Sequence, residues 1–174
     1  MKNRRKIILY IATSLDGYIA RENGDIDWLP EVENQDFGYY EFLRTVDTIV
    51  MGKRTYDQVL TFGDFPYIHK KCYVFSSSHT GKDKYVEFIN SSAKDFVDKL
   101  NEEAGGDIWL VGGADLVNSF MKNNLIDELI VSIIPIILGK GIRLFDNNNP
   151  ETRLQLVEST SYSEGIVQIY YSKL

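Results

Sequence analysis

Ile7–Ala12 is an unbroken apolar run, the pattern of a strand buried on both faces rather than on one. Short apolar runs of the same kind recur at Thr48–Met51, Cys72–Phe75, Ile108–Val111 and Glu128–Ile134, with a weaker one at Val86–Ile89. The segments between them carry helical spacing. Gln35–Val46 places Phe37 and Tyr40 one turn apart, Thr55–Leu60 follows the second run, and Asp115–Lys122 is stopped near Asn123-Asn124. Ser92 is placed to cap a helix running to about Glu103, with Phe96, Val97 and Leu100 inward. Asp16-Gly17 is a turn signal, and Tyr18–Trp28 reads as an irregular loop holding Asn23-Gly24. After turns at Gly139-Lys140-Gly141 and Asn147–Pro150, Leu154–Ser159 and Gly165–Tyr171 alternate as a terminal antiparallel hairpin. Repeated strand–helix units predict an α/β fold of three layers, a mainly parallel sheet between helices, closed by that hairpin. Sheets of this type bind ligands at the carboxyl ends of their strands.

Composition narrows the classes. At 174 residues and 20.0 kDa, residues 1–174 make one domain, and 44% hydrophobic with 25% charged residues is the balance of a packed globule, not a disordered chain. A single cysteine, Cys72, excludes an internal disulfide and a zinc site of several thiolates, and the presence of just two histidines argues against a histidine-rich metal centre. The net charge of -6 argues against a nucleic-acid partner, and no apolar run approaches the ~20 residues that span a bilayer. Met1–Lys6 is basic and precedes an apolar run, which imitates a secretion signal. That run is too short and gives way to Thr13, Ser14, Asp16 and Arg21, so it reads as a buried first strand with a solvated basic start, and the location as cytoplasmic.

Three predicted strand ends carry anion-binding chemistry. Met51-Gly52-Lys53-Arg54-Thr55 offers a glycine, the free N–H groups of a helix start and two cations. Ser76-Ser77-Ser78 offers small donors, and Gly112-Gly113 opens the helix at Asp115. Glycine after a strand is usually only a turn. Three such ends on one side of one sheet point instead to a phosphate-bearing nucleotide lying across it. G-x-G-x-x-G and G-x-x-x-x-G-K-[ST] are both absent, which excludes the ordinary Rossmann and P-loop sites. His69 and His79 read as surface residues, Cys72 as a small core residue, and no Ser/His/Asp motif is present.

The segments ATSLDGYIA (12–20), DWLPE (27–31), TIVMGKRTYDQV (48–59), YVFSSS (73–78), IWLVGGADLVNSF (108–120) and DELIVSIIPIILGKGIRLF (127–145) together resemble the dihydrofolate reductase superfamily. They are most similar to the reductase domain of riboflavin biosynthesis and its short stand-alone relatives. The resemblance implies an NADPH site and no metal. Gly52, Lys53, Arg54 and Thr55 would hold the diphosphate and 2′-phosphate, Phe75, Ser76 and Ser77 the adenosine end. Gly112 and Gly113 would let the cofactor pass close over the sheet, with Ala12 and Ile19 flanking the nicotinamide. Asp36 falls where folate reductases carry the carboxylate that binds the pterin, and is the candidate for proton delivery; a first-turn aspartate also simply starts a helix. Ser132 matches a hydroxyl position beside that carboxylate, or is an ordinary strand serine. Trp28 would cover the substrate, or only pack. Asp16 reads as a loop-shaping residue rather than an acid, and Gly139-Lys140-Gly141 as a turn.

Two positions depart from the folate pattern. The arginine that clamps the folate tail is replaced by Lys70, which cannot make the planar two-bond grip, and Asp115 puts an acid beside the expected diphosphate. The implied activity is hydride transfer from NADPH to a small heterocyclic or ribosylamino substrate, with 5-amino-6-(5-phosphoribosylamino)uracil reduction first and dihydrofolate second. A nucleotide-binding module without catalysis is the alternative from another class. The related short reductases and the apolar Ile133–Leu138 stretch with the Tyr170-Tyr171 hairpin imply a homodimer.

Overall fold

The computed structural model describes residues 4–31 and 36–174. Met1–Asn3 of the basic start and Gln35, the expected first residue of a helix, lie outside them. The elements run β1 (Ile7–Ser14), β2 (Tyr18–Ala20), α1 (Tyr39–Thr45), β3 (Val46–Gly52), α2 (Lys53–Thr61), β4 (Lys71–Phe75), β5 (Gly81–Lys82) and β6 (Glu87–Ile89). They continue with α3 (Ala93–Glu102), β7 (Asp107–Gly112), α4 (Ala114–Lys122), β8 (Glu128–Ile134), β9 (Ile142–Arg143), β10 (Leu154–Ser161) and β11 (Val167–Lys173). The main sheet has the order β10-β11-β8-β1-β7-β3-β4-β6-β5. The strands from β8 to β6 are parallel; β11, β10 and β5 run antiparallel to their neighbours.

Burial explains the layering. Ile7, Ile8 and Leu9 of β1 are fully enclosed, because β1 lies between β7 and β8 with helices over both faces. One face packs on α3 and α4 through Phe96, Val97, Leu100, Val117 and Phe120; the other packs on α1 and α2 through Phe42 and Tyr56. Each fully buried aliphatic or aromatic side chain contributes about 1.5–3 kcal/mol. Ser92 caps α3 as expected, its Oγ accepting the Asp95 N–H at 3.1 Å. The outer half of β1, from Tyr10 to Ala12, is only half-buried, since it walls a cleft at the carboxyl ends of the strands.

Three expectations are corrected. The helix expected over Gln35–Val46 is shorter: Val46 is extended (φ -103°, ψ 143°) and pairs with Asp107 of β7, so sheet pairing overrides helical spacing. The Lys70 ammonium closes that helix end by donating to the Leu43 and Val46 carbonyls at 2.7 and 2.6 Å. Tyr18–Trp28 is not wholly irregular, because β2 pairs with the distant β9, Tyr18 with Arg143 and Ala20 with Ile142. A three-residue strand is too short to show a period of two. The basic start is not wholly solvated either. Arg5 is 4% exposed, pairs with Asp47, and donates to Thr48 Oγ1 at 2.5 Å and the Gly106 carbonyl at 2.7 Å. A Cβ at Gly105 would lie 2.6 Å from Arg5 Cζ, so that glycine leaves room for the guanidinium.

Candidate active site

One cleft of about 1960 Å³ runs across the carboxyl ends of β1, β3, β4, β7 and β8. Pockets for a single small ligand occupy ~300–1,000 Å³, so this one has room for a dinucleotide and a second molecule. Ala12, Ile19, Gly52, Lys53, Arg54, Thr55, Phe75, Ser76, Ser77, Gly112 and Gly113 all line it, as do Asp36 and Ser132. Trp28 does not. It is 8% exposed and packs behind the cleft wall against Ile134 and Ile166, which do line the cleft, so the packing reading holds for it.

At one end two helix starts face the cleft without side-chain caps. Gly52 precedes α2 and Gly113 precedes α4, leaving their first N–H groups free for an anion. The two loops abut: a Cβ at Gly52 would meet the Gly112 carbonyl at 3.7 Å, and one at Gly113 would meet Thr55 Oγ1 at 3.4 Å. Gly112 has φ +127°, a conformation that favours glycine, and the Gly112–Gly113 peptide is cis. The Lys53 ammonium bonds both Asp57 carboxylate oxygens at 2.5 and 2.7 Å, whereas Arg54 is exposed and has no ion-pair partner among the described residues. Ser76 Oγ accepts the N–H groups of Ser78 (3.3 Å) and His79 (3.1 Å), which shapes the serine turn. Asp57 and Asp115 also line this end.

The middle of the cleft is apolar, with Ile11, Ala12 and Ile19 beside Gly112. Ile19 belongs to β2, which Asp16 ties down. Asp16 accepts the Ser14 hydroxyl at 2.6 Å and the Leu138 and Gly139 N–H groups at 3.1 and 2.7 Å. The Ser14 bond is the largest of the causes that hold its carboxyl below the usual range, with the backbone bonds adding to it against desolvation. Asp16 is therefore a loop-shaping residue, as expected. Gly139–Gly141 stays out of the cleft lining, and Lys140 pairs with Glu22 on the surface.

The far end is walled by Tyr10, Phe37, Tyr39, Tyr40 and Trp109, the flat partners of a planar ring. Asp36 sits at its edge, exposed, its carboxylate accepting the Gly38 and Tyr40 N–H groups at 3.3 and 3.2 Å. Each oxygen keeps a second acceptor direction, so the helix-start role and a ligand role coexist. Ser132 lies alongside Ala12 in the β1–β8 register and accepts from Gln168 Nε2 at 3.0 Å. Tyr10 donates to the Phe37 carbonyl at 3.0 Å; burial is the main cause that pushes its phenol up to about 12, so it stays protonated. Cys72 is pushed up to about 12 by burial and is unreactive. Among the described residues no group of acidic, histidine or cysteine side chains could hold a metal.

Sequence reasoning missed the aromatic wall and Gln168. Tyr10 was within reach, since it shares a strand face with Ala12 two residues on. Gln168 gave no local signal, because its partners lie 36 to 158 residues away.

A dinucleotide-sized cleft at the carboxyl ends of a sheet with this strand order defines the class: a dihydrofolate-reductase-like α/β domain. Within it, the chain belongs to the RibD C-terminal domain family, whose model matches residues 5–168. It is 48% identical over 170 residues to the uncharacterized protein YwjB of Bacillus subtilis, covering 96% of this chain and 97% of that one. A structure from Shewanella sp. PV-4 assigned to riboflavin biosynthesis superposes with TM-score 0.88 at 32% identity, covering 97% and 99% of the two chains. Dihydrofolate reductase of Enterococcus faecalis, in complex with NADP(H), shares the fold at TM-score 0.71 and 14% identity over 98% and 97%.

Proposed function

We propose that this protein is an NADPH-dependent reductase acting on a small heterocyclic or ribosylamino compound, most like the 5-amino-6-(5-phosphoribosylamino)uracil reduction of riboflavin biosynthesis. The observation that carries this reading is the polarity of one continuous cleft. Uncapped helix starts, Arg54 and the serine turn stand at one end, and an aromatic wall with a carboxylate and a hydroxyl at the other.

The residues present fit the dinucleotide. The free N–H groups of α2 and α4 and the Arg54 guanidinium would hold its phosphates, and the space that a Cβ at Gly113 would take from Thr55 is left open. Ala12 and Ile19 would exclude water from the reacting ring. When bound, NADPH supplies hydride from its nicotinamide C4. Tyr39, Tyr40 and Trp109 orient the substrate ring; Asp36, open to solvent, holds a substrate N–H and relays a proton from water to the substrate atom left negative by the hydride. The family match, and the NADP(H) complex of a protein with the same fold, support the cofactor.

Dihydrofolate ranks second, on a specific contact: Lys70, the nearest candidate for gripping a folate-tail carboxylate, is committed to the carbonyls that end α1. The test is a titration with NADPH and NADH that follows quenching of Trp109, which lines the cleft, in a Trp28→Phe background, because Trp28 packs against the cleft-lining Ile134 and Ile166. NADPH absorbance is then followed with 5-amino-6-(5-phosphoribosylamino)uracil and with dihydrofolate. Saturable binding that favours NADPH, with turnover of the first compound, is expected. NADPH binding with turnover of neither compound moves the protein to a non-catalytic module, and no saturable quenching by either dinucleotide refutes the proposal.

A further inference from the structure

The lip of the aromatic end comes from one stretch of chain, in which Leu29, Pro30, Asp36, Phe37, Tyr39 and Tyr40 line the cleft. Residues 21–43 hold seven acids and one base, Arg21, a net of -6 that equals the charge of the whole chain, so the rest of the protein is neutral overall. Two of these acids are neutralised nearby: Asp27 bonds Arg21 at 2.5 Å, and Glu22 pairs with Lys140 at 3.0 Å. Asp25, Glu31, Asp36 and Glu41 are exposed and have no ion-pair partner among the described residues. The backbone donors at this end are spent as well. The N–H groups of Gly38 and Tyr40 bond the Asp36 carboxylate at 3.3 and 3.2 Å, and that of Tyr39 bonds the Asp36 carbonyl at 2.8 Å. At α2 and α4 the corresponding groups stand free for an anion; at α1 the chain supplies its own. Among the described residues the cations that line the cleft are Lys53 and Arg54, both at the start of α2, and Lys70 is held by the carbonyls that end α1.

A phosphate brings about -1.5 to -2 charge and is held by cations or free N–H groups. At the aromatic end it would meet carboxylates instead, and would give up hydration with no bond in return. We propose that the substrate of this cleft carries neither a phosphate nor a carboxylate: it is a neutral or cationic heterocycle, free or joined to an unphosphorylated sugar. The acidic lip leaves a neutral ligand undisturbed, attracts a cation and repels an anion. Anionic groups are thereby confined to the α2 and α4 starts, at the opposite end of the same cleft. The inference rests on the reading of the aromatic end as the substrate end, and goes beyond it in fixing the charge of the substrate. A phosphoribosyl compound is then turned over with a lower kcat/KM than its dephosphorylated counterpart.

The test uses two pairs of compounds that share a ring and differ in charge. One is 5-amino-6-(5-phosphoribosylamino)uracil with its dephosphorylated nucleoside, the other dihydrofolate with its tail dimethyl ester. Each is titrated calorimetrically with NADP⁺ saturating, so that the α2 and α4 starts are occupied, and kcat/KM is measured with NADPH. In each pair the uncharged member should bind at least as tightly, and about threefold more tightly at low salt. The anionic member should gain affinity as salt is raised, because screening weakens repulsion. Glu31→Lys/Glu41→Lys reverses two exposed charges, and should tighten the anionic members about threefold while the uncharged members and the thermal midpoint stay at wild-type values. An anionic member that binds more than roughly twofold tighter than its partner, or that loses affinity as salt rises, overturns the inference, because a cation or a free N–H group then holds it. So does a double variant that folds and leaves the anionic members unchanged, or a wild type that binds no member of either pair. If the double variant does not fold, the salt dependence of the wild type decides. If NADP⁺ fails to bind, the cofactor reading falls, and the ratios within the pairs, read in Arg54→Ala where that α2 cation is gone, still decide this one.

Discussion

Replacing Arg54 by alanine removes a cleft-lining cation that has no ion-pair partner among the described residues. NADPH differs from NADH by one phosphate of about -1.5 to -2 charge, so a site that reads this group should lose NADPH affinity and keep NADH affinity. A hydrogen bond to a charged group contributes about 1.5–3 kcal/mol. Arg54 is exposed, so solvent and salt place its effect at the lower end, about 1.5 kcal/mol or roughly tenfold in affinity. Lys53 carries the same formal charge but is already bonded to both oxygens of Asp57. Turning that ammonium to a phosphate first breaks an i,i+4 pair worth about 0.3–0.5 kcal/mol. Lys53→Ala should therefore cost less than Arg54→Ala, and Asp57→Asn should tighten NADPH about twofold by freeing the lysine. The assay is fluorescence titration of the three variants with NADPH and NADH at fixed ionic strength. Equal losses for the two dinucleotides in Arg54→Ala, or a larger loss in Lys53→Ala, would show that the 2′-phosphate is not read from the start of α2.

Asp36→Asn should cut turnover strongly and leave NADPH affinity nearly unchanged, because the carboxylate stands at the aromatic end of the cleft; steady-state kinetics beside a cofactor titration separates the two effects. Arg5→Leu should destabilise the fold by about 1–3 kcal/mol, the cost of taking a donor from the buried Thr48 hydroxyl, a fall of about 2–12 °C in Tm. Its cofactor affinity should match the wild type, since Arg5 bonds Thr48 and Gly106 at the opposite end of the strands; calorimetry and titration check the pair. Asp16 has a folded pKa below its unfolded value of about 3.9, so its stabilising effect is present above that value and is lost as pH falls through the folded one. The stability gap between the wild type and Asp16→Ala should be full at pH 7 and narrow below about pH 4, read by denaturant unfolding over that range. Edge strand β10 exposes Leu154, Leu156 and Val157, and a symmetric dimer should bury them. Light scattering at low protein concentration should give a dimer, and a 20.0 kDa species would exclude it.

The parts of this molecule that were legible in its sequence are those whose cause is local. Burial between two layers made β1, β3 and β7 readable as apolar runs, β4 and β8 read the same way although only partly buried, and Ser92 announced α3 because a cap acts within three residues. The glycine and serine loops were legible for a related reason. Parallel strands separated by helices must all end on one rim, so three anion-binding ends in alternating units have to converge. What escaped was decided by partners far along the chain. Val46 left the helix for Asp107, Tyr18–Ala20 became a strand by meeting Ile142–Arg143, and Arg5 went inside because Asp47 and Gly106 wait there.

The same division runs through the site. The phosphate end is built from backbone N–H groups and glycines, which any related sequence can supply without choosing a substrate. At the ring end, chemistry depends on which way protons point. Trp28 stood in a plausible segment and proved to be core, while Gln168, in an unremarkable strand, orders the Phe37 carbonyl and the Ser132 hydroxyl. A residue acts on a ligand through the direction of its donors, and that direction is fixed by its neighbour across the sheet.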